Sequence, residues 1–222
     1  MPRGQLHTSF SLEEITLLSS NGKQQTYQKN DLIFRQEHYA TGTYLILKGK
    51  VKKFKLDQDK KAHIIFVANS GQLIGYHGLY TGERYVDSAI ALEETTVSYI
   101  PRQAFFAALD HSPAISRKLL AIMAHEFEIL TNGLSLLSRK TVRERLALQL
   151  LIMQEKYREN SEEGQQIQIN LSREDLSSIV GTARENIVRI LTEFKKERTL
   201  FTRGRKIIIT DTEKLIKIAN VG

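Results

Sequence analysis

The sequence predicts an α+β chain: a run of short strands, then one long amphipathic helix, then a small basic helical unit. Three observations carry this prediction. Short runs rich in β-branched, aromatic and leucine residues alternate with turn signals between about Thr26 and Pro101. After Pro101 the apolar period changes to alternating steps of three and four. Near the C-terminus two short helical patterns flank a glycine, and a basic, glycine-containing hairpin pattern follows them.

The strand runs are Leu32-Ile33-Phe34, Tyr44–Leu47, Val51–Leu56, Ile64–Val67 and Thr95–Ile100. Gly42, Gly49, Asp57-Gln58-Asp59-Lys60, Asn69-Ser70-Gly71 and Gly82 punctuate them. Alternation at Lys53-Phe54-Lys55-Leu56 predicts a sheet with one face in water. Strands this short and this closely spaced predict a small barrel or sandwich.

In the helical part, Leu120, Met123, Phe127, Leu130, Leu134 and Leu137 recur at the spacing of a heptad seam. Ile122, Ile129 and Leu136 widen the stripe, so part of the helix is expected to pack on the strands while the seam meets a second copy. A homodimer follows. Ser138-Arg139-Lys140 interrupts the seam, and Val142, Leu146, Leu150 and Met153 begin a further helix. The polar stretch Arg158–Gln165 is expected to be a loop. The expected division is therefore residues 1–110, a helix over 111–138, and a C-terminal domain over 139–222.

Composition narrows the function. The 222 residues carry a formal net charge of +7, which favours an acidic partner. The excess is concentrated: residues 139–222 hold 17 Lys+Arg against 12 Asp+Glu. With no cysteine, thiol nucleophiles, cysteine–zinc sites and cysteine-ligated iron–sulfur clusters are excluded. The six histidines have neither HxH nor HxxxH spacing, so no metal and no cofactor are expected. P-loop, GxSxG and HExxH patterns are absent, and no enzyme is expected. No apolar run approaches the roughly 20 residues of a membrane span, and Met1–Gln5 lead into no apolar signal segment. A cytoplasmic location without membrane contact is the expectation.

The segment Leu171–Thr199 carries the chemistry. Ser172 and Asp175 have capping spacing, and Leu176, Ile179 and Val180 form a short buried face. Gly181 permits the backbone that stops this helix, and Thr182 is placed to cap a second one buried through Ile187, Ile190, Leu191 and Phe194. On its opposite side Arg184, Glu185, Val188 and Arg189 share the N-terminal half, the part of a recognition helix that meets base edges. Arginine can donate twice to guanine and glutamate can accept from cytosine. Glu185 would be repelled on a merely sticky basic surface, although a capping box with Thr182 is its other available role. Ser172, Arg173, Thr182 and Asn186, at the two helix starts, are candidates for phosphate contacts. Phe201–Ile209 reads as a hairpin whose Arg203, Arg205 and Lys206 would supply backbone affinity. The partner so predicted is double-stranded DNA.

Across nearly its whole length the chain resembles the Crp/Fnr family, most specifically through IVGTARENIVRIL at Ile179–Leu191. The resemblance implies a β-roll sensor like a cyclic-nucleotide-binding domain, a long dimerisation helix and a winged helix-turn-helix. It also implies a two-fold symmetric operator and contact with RNA polymerase. Gly71–Leu79 matches the turn before the family's phosphate-binding cassette, which makes Gly75, Tyr76, His77, Gly78, Arg84, Tyr85, Leu130 and Thr131 the candidate effector pocket. Cyclic-AMP binders carry glutamate where this chain has Tyr76, and an Arg-Ser pair where it has Tyr85-Val86, with Arg84 one place earlier. Leu130 and Thr131 fall where those binders contact the base. Burying a phosphate without an oriented cation costs several kcal/mol. Control by cyclic AMP is therefore not expected, and the effector is left unassigned. A cyclic-nucleotide-gated activator is the alternative, His77 keeps a haem sensor open, and a non-specific architectural DNA-binding protein is the alternative from another class.

Overall fold

The computed structural model describes residues 9–20, 22–59, 61–158 and 166–221. The expected loop over residues 159–165 lies outside them.

The chain opens with α1 (Leu12–Ser19), which a Ser11/Glu14 capping box starts. The strands are β1 (Lys23–Tyr27), β2 (Leu32–Phe34), β3 (Gly42–Lys48), β4 (Val51–Leu56), β5 (Ala62–Ala68) and β6 (Leu73–Ile74). Short α2 (His77–Thr81) interrupts them before β7 (Ser88–Ala91) and β8 (Thr95–Pro101). They form two four-stranded sheets, ordered β1-β8-β3-β6 and β2-β7-β4-β5, with every pairing antiparallel. Their facing sides enclose Ile33, Leu45, Ile46, Val51, Ile74, Ala89, Val97 and Ile100 in one core.

The alternation expected at Lys53-Phe54-Lys55-Leu56 does not hold. The β4–β5 register shifts between Lys53 and Phe54, and both residues are buried. A bulge places two neighbours on one side of a strand, which period-two reading cannot foresee. Inside, Lys53 Nζ lies 3.3 Å from Asp87 Oδ2, with side-chain exposures of 4% and 3%.

Helix α3 (Arg102–His111) leads into α4 (Pro113–Arg139). Of Ile122, Ile129 and Leu136, the residues read as widening the stripe towards the strands, only Ile122 is buried. Ile115, Leu119 and Ile122 join the core of the sheets. Leu120, Met123, Phe127, Leu130, Leu134 and Leu137 are all exposed, Phe127 at 68% and Leu134 at 70%. Ile129 is also exposed, and Leu136 is partly buried.

Compact units divide the chain between Thr131 and Asn132, within α4. The second unit contains α5 (Val142–Arg158), β9 (Ile169–Asn170), α6 (Arg173–Val180) and α7 (Arg184–Lys196). Strands β10 (Leu200–Arg203) and β11 (Lys206–Ile209) and helix α8 (Thr212–Ala219) complete it. Its sheet has the order β10-β11-β9. Its core is Leu146, Leu150, Leu176, Val180, Ile187, Ile190, Leu191, Phe194, Ile207 and Leu215, all buried.

Candidate nucleic-acid interface and sensor site

The interface is built from the helix-turn-helix outward. The Ser172 hydroxyl accepts from the Asp175 amide at 2.9 Å and the Asp175 carboxylate accepts from the Ser172 amide at 3.2 Å, a closed capping box that starts α6. Gly181 ends that helix at φ +69°, a left-handed conformation that a side chain would strain. The next helix starts differently from the expectation. Its N-cap is Ala183, which makes no side-chain cap, and Thr182 Oγ1 instead accepts from Asn186 Nδ2 at 3.1 Å. The capping box between Thr182 and Glu185 therefore does not form, and Glu185 stands exposed in the first turn of α7.

Burial of Ile187, Ile190, Leu191 and Phe194 fixes the rotation of α7. Arg184, Glu185, Val188 and Arg189 consequently share the exposed side, with Val188 at 45% exposure. Two arginines, one carboxylate and one apolar residue offer donors, an acceptor and a surface suited to a thymine methyl. Arg189 Nη1 donates to Glu193 Oε1 at 2.6 Å.

The hairpin is present. Arg203 pairs with Lys206 across a turn made by Gly204 and Arg205, and all four residues are exposed. Arg173 Nη1 donates to the Arg205 carbonyl at 3.2 Å, which ties the hairpin tip to the start of α6. Ser172, Arg173, Thr182 and Asn186 thus all serve internal hydrogen bonds.

In the first unit the structure brings Gly75, Tyr76, His77, Gly78 and Tyr85 together in buried or half-buried positions. Gly75, at φ +82°, turns the chain where an added Cβ would stand 3.2 Å from the rings of Phe34 and Tyr85. Those rings stack at 4.4 Å, and the Tyr85 hydroxyl donates to the Gly42 carbonyl at 2.9 Å. Tyr76 is fully buried, and its hydroxyl donates to Glu126 Oε2 at 2.7 Å. His77 Nε2 lies 2.9 Å from that same oxygen and so carries the proton, while its Nδ1 is buried with no partner among the described residues. Arg84 is exposed, lies over the Tyr39 ring at 4.5 Å and donates to the Glu37 carbonyl. Leu130 and Thr131 are exposed as well, and the Thr131 hydroxyl donates to carbonyls of its own helix.

Glu126 did not figure among the predicted residues, although one signal pointed to it. It is the lone acid in the inward stripe Ile115, Leu119, Ile122, Glu126. Burial raises its carboxyl pKa, but hydrogen bonds from His77 and Tyr76 and the Lys53 charge outweigh that, leaving it below the ordinary carboxylate range. Burial and the adjacent Glu126 charge hold the Tyr76 phenol far above its usual value, so it remains a donor. A depressed carboxylate pKa adds stability above the unfolded-state value, and this is lost as pH falls through the folded-state value. Glu126→Gln should cost about 1–3 kcal/mol at neutral pH. In denaturant titrations the gap from the native sequence should narrow once pH drops below the carboxylate range, and a pH-independent gap would refute the charge assignment.

Among the described residues no group of three His, Asp or Glu side chains is placed to hold a metal ion, and no helix is long and apolar enough to cross a membrane.

Comparison with known proteins agrees in both units. Residues 24–112 match the cyclic nucleotide-binding domain family, and residues 144–218 match the Crp-like helix-turn-helix domain family. The transcriptional activator protein Anr of Pseudomonas protegens is 27% identical over 96% of this chain and 88% of its own. The nitrogen fixation regulation protein FixK of Azorhizobium caulinodans is 26% identical over 91% of this chain and 81% of its own. The solved structure of FixK2 from Bradyrhizobium japonicum superposes with a TM-score of 0.77 at 26% identity, covering 90% of this chain and 98% of that one.

Proposed function

The chain belongs to the Crp/Fnr family of transcription regulators, and from that premise we propose that α7 reads a two-fold symmetric operator through Arg184, Glu185, Val188 and Arg189. It is a DNA-binding transcription regulator, and we propose that it acts as a dimer joined through the exposed heptad-spaced residues of α4. One observation carries the reading: in the first half of α7 these four side chains are exposed, whereas Asn186 is half-buried and Ile187 and Ile190 are buried. Arg203, Arg205 and Lys206 act on phosphates, and contact with RNA polymerase follows from the family reading. A duplex recovered by selection should outcompete random-sequence DNA by about 10³-fold or more. Equal competition would reduce the protein to an architectural binder.

The hairpin has a test that needs no known operator. Each phosphate contact contributes about 0.9 to the slope of log affinity against log salt. Replacing Arg203, Arg205 and Lys206 by alanine should flatten the slope on random-sequence DNA by about three per protomer. An unchanged slope would remove the hairpin from the backbone.

We further propose that DNA binding requires no cyclic AMP. The Tyr76 side chain stands where cyclic-AMP binders carry a carboxylate and is already bonded to Glu126. Arg84, one position before the place where cyclic-AMP binders carry their Arg-Ser pair, is exposed and lies over the Tyr39 ring. A ligand at 100 times its dissociation constant adds about 2.7 kcal/mol to stability. Millimolar cyclic AMP should leave the melting temperature unchanged, whereas a rise of about 5 °C or more would contradict the proposal.

A further inference from the structure

Base reading by an arginine depends on where its guanidinium is held before DNA arrives. In the second unit that position is set by a chain of contacts that begins in the core. Phe194 is fully buried. The Arg143 guanidinium, from α5, lies over its ring at 4.6 Å. From there Arg143 forks: Nη1 donates to Glu193 Oε2 at 3.0 Å, and Nη2 donates to both Glu197 oxygens at 2.8 Å. The second oxygen of Glu193, Oε1, accepts from Arg189 Nη1 at 2.6 Å.

We propose that Arg143 is a positioning residue for base discrimination, acting through Glu193 on Arg189. The proposal rests on the reading of Arg189 as a base-contacting residue. Glu193, on the last turn of α7, and Glu197, its C-cap residue, stand four residues apart, where like charges repel. Arg143 offsets this charge and fixes the plane of the Glu193 carboxylate, because a planar fork on an aromatic platform has one orientation. That plane aims Oε1 back along the helix at Arg189. One Arg189 nitrogen is occupied, and its remaining donors stay available for a guanine edge. A long side chain otherwise loses rotamer freedom on binding, and ordering it beforehand removes that cost. Arg143 itself touches no base in this account. Its contribution appears in discrimination and not in general affinity.

The measurement is anisotropy on a selected duplex, on random-sequence DNA, and on the selected duplex with 7-deazaguanine in each half-site. Arg143→Ala should lower the specific-to-random ratio by about three- to thirtyfold, with the salt slope on random DNA unchanged. The 7-deazaguanine penalty, which reports the guanine N7 contact, should shrink in the same variant. In an Arg189→Ala background, Arg143→Ala should have no further effect on the ratio. Arg143→Lys, which keeps the charge but cannot fork, should lose the ratio too and guards against a folding defect in the alanine variant. Equal losses on specific and random DNA, additive losses in the double variant, or a native ratio in Arg143→Lys would each overturn the proposal. If Arg189→Ala itself weakens both DNAs equally, base reading by Arg189 fails, and that result is distinct from the absence of coupling to Arg143.

Discussion

Leu134→Asp should convert the protein to monomers in sedimentation, with the fold of each protomer intact. Leu134 is 70% exposed within the protomer, so its replacement removes little of the protomer's own core. In a seam formed with a second copy, two aspartates would face each other out of water. Each buried leucine side chain is worth about 1.5–3 kcal/mol of transfer energy, and a buried unpaired charge reverses that gain. Six apolar residues at heptad spacing are exposed on α4, and among the described residues none of them is buried by the protomer itself. Because the proposed symmetric operator would need two copies of α7, the same substitution should abolish tight specific binding. Dimers that persist at low micromolar concentration would show that a different surface joins the copies.

Arg189→Ala should cost specific binding far more than random-sequence binding. One bidentate arginine–guanine pair discriminates by about 1–3 kcal/mol, and a dimer carries two. The specific affinity should thus fall by about 30-fold to 10⁴-fold, while random-sequence affinity changes by about tenfold or less. Val188→Ser should act more locally, by weakening preference at one base pair per half-site. Equal losses on both DNAs would place Arg189 on the phosphates.

The sequence was most legible where one physical rule acted alone. The heptad-spaced residues of α4 and its core-facing residues occupy neighbouring faces, so exposed Phe127 and buried Ile122 were both readable, whereas Ile129, read as widening the core-facing stripe, is exposed. The helix-turn-helix was legible because Ser172, Asp175 and Gly181 each meet a local demand of a helix end. Strand existence from β2 to β5 and in β8 followed from β-branched and aromatic runs.

Where rules competed, legibility failed. Lys53 was read as a wet residue from alternation, but a register shift turned it inward to Asp87. Thr182 has the chemistry of a cap, yet Asn186 takes its hydroxyl and the cap position passes to Ala183. Helix α2 was missed because five residues are too few to show a period. The Tyr76–Glu126–His77 cluster joins residues about fifty positions apart, a relation no local pattern encodes. Arg143 and Glu193 show the same limit, since only the packing of α5 on α7 makes them partners.

The most direct test is selection of bound sequences from a random DNA pool with the purified protein and no added ligand. A dimer reading bases through α7 without a nucleotide predicts enrichment of a two-fold symmetric site, with half-sites about one helical turn apart. A pool that stays random without ligand and acquires that site when cyclic AMP is added would contradict it.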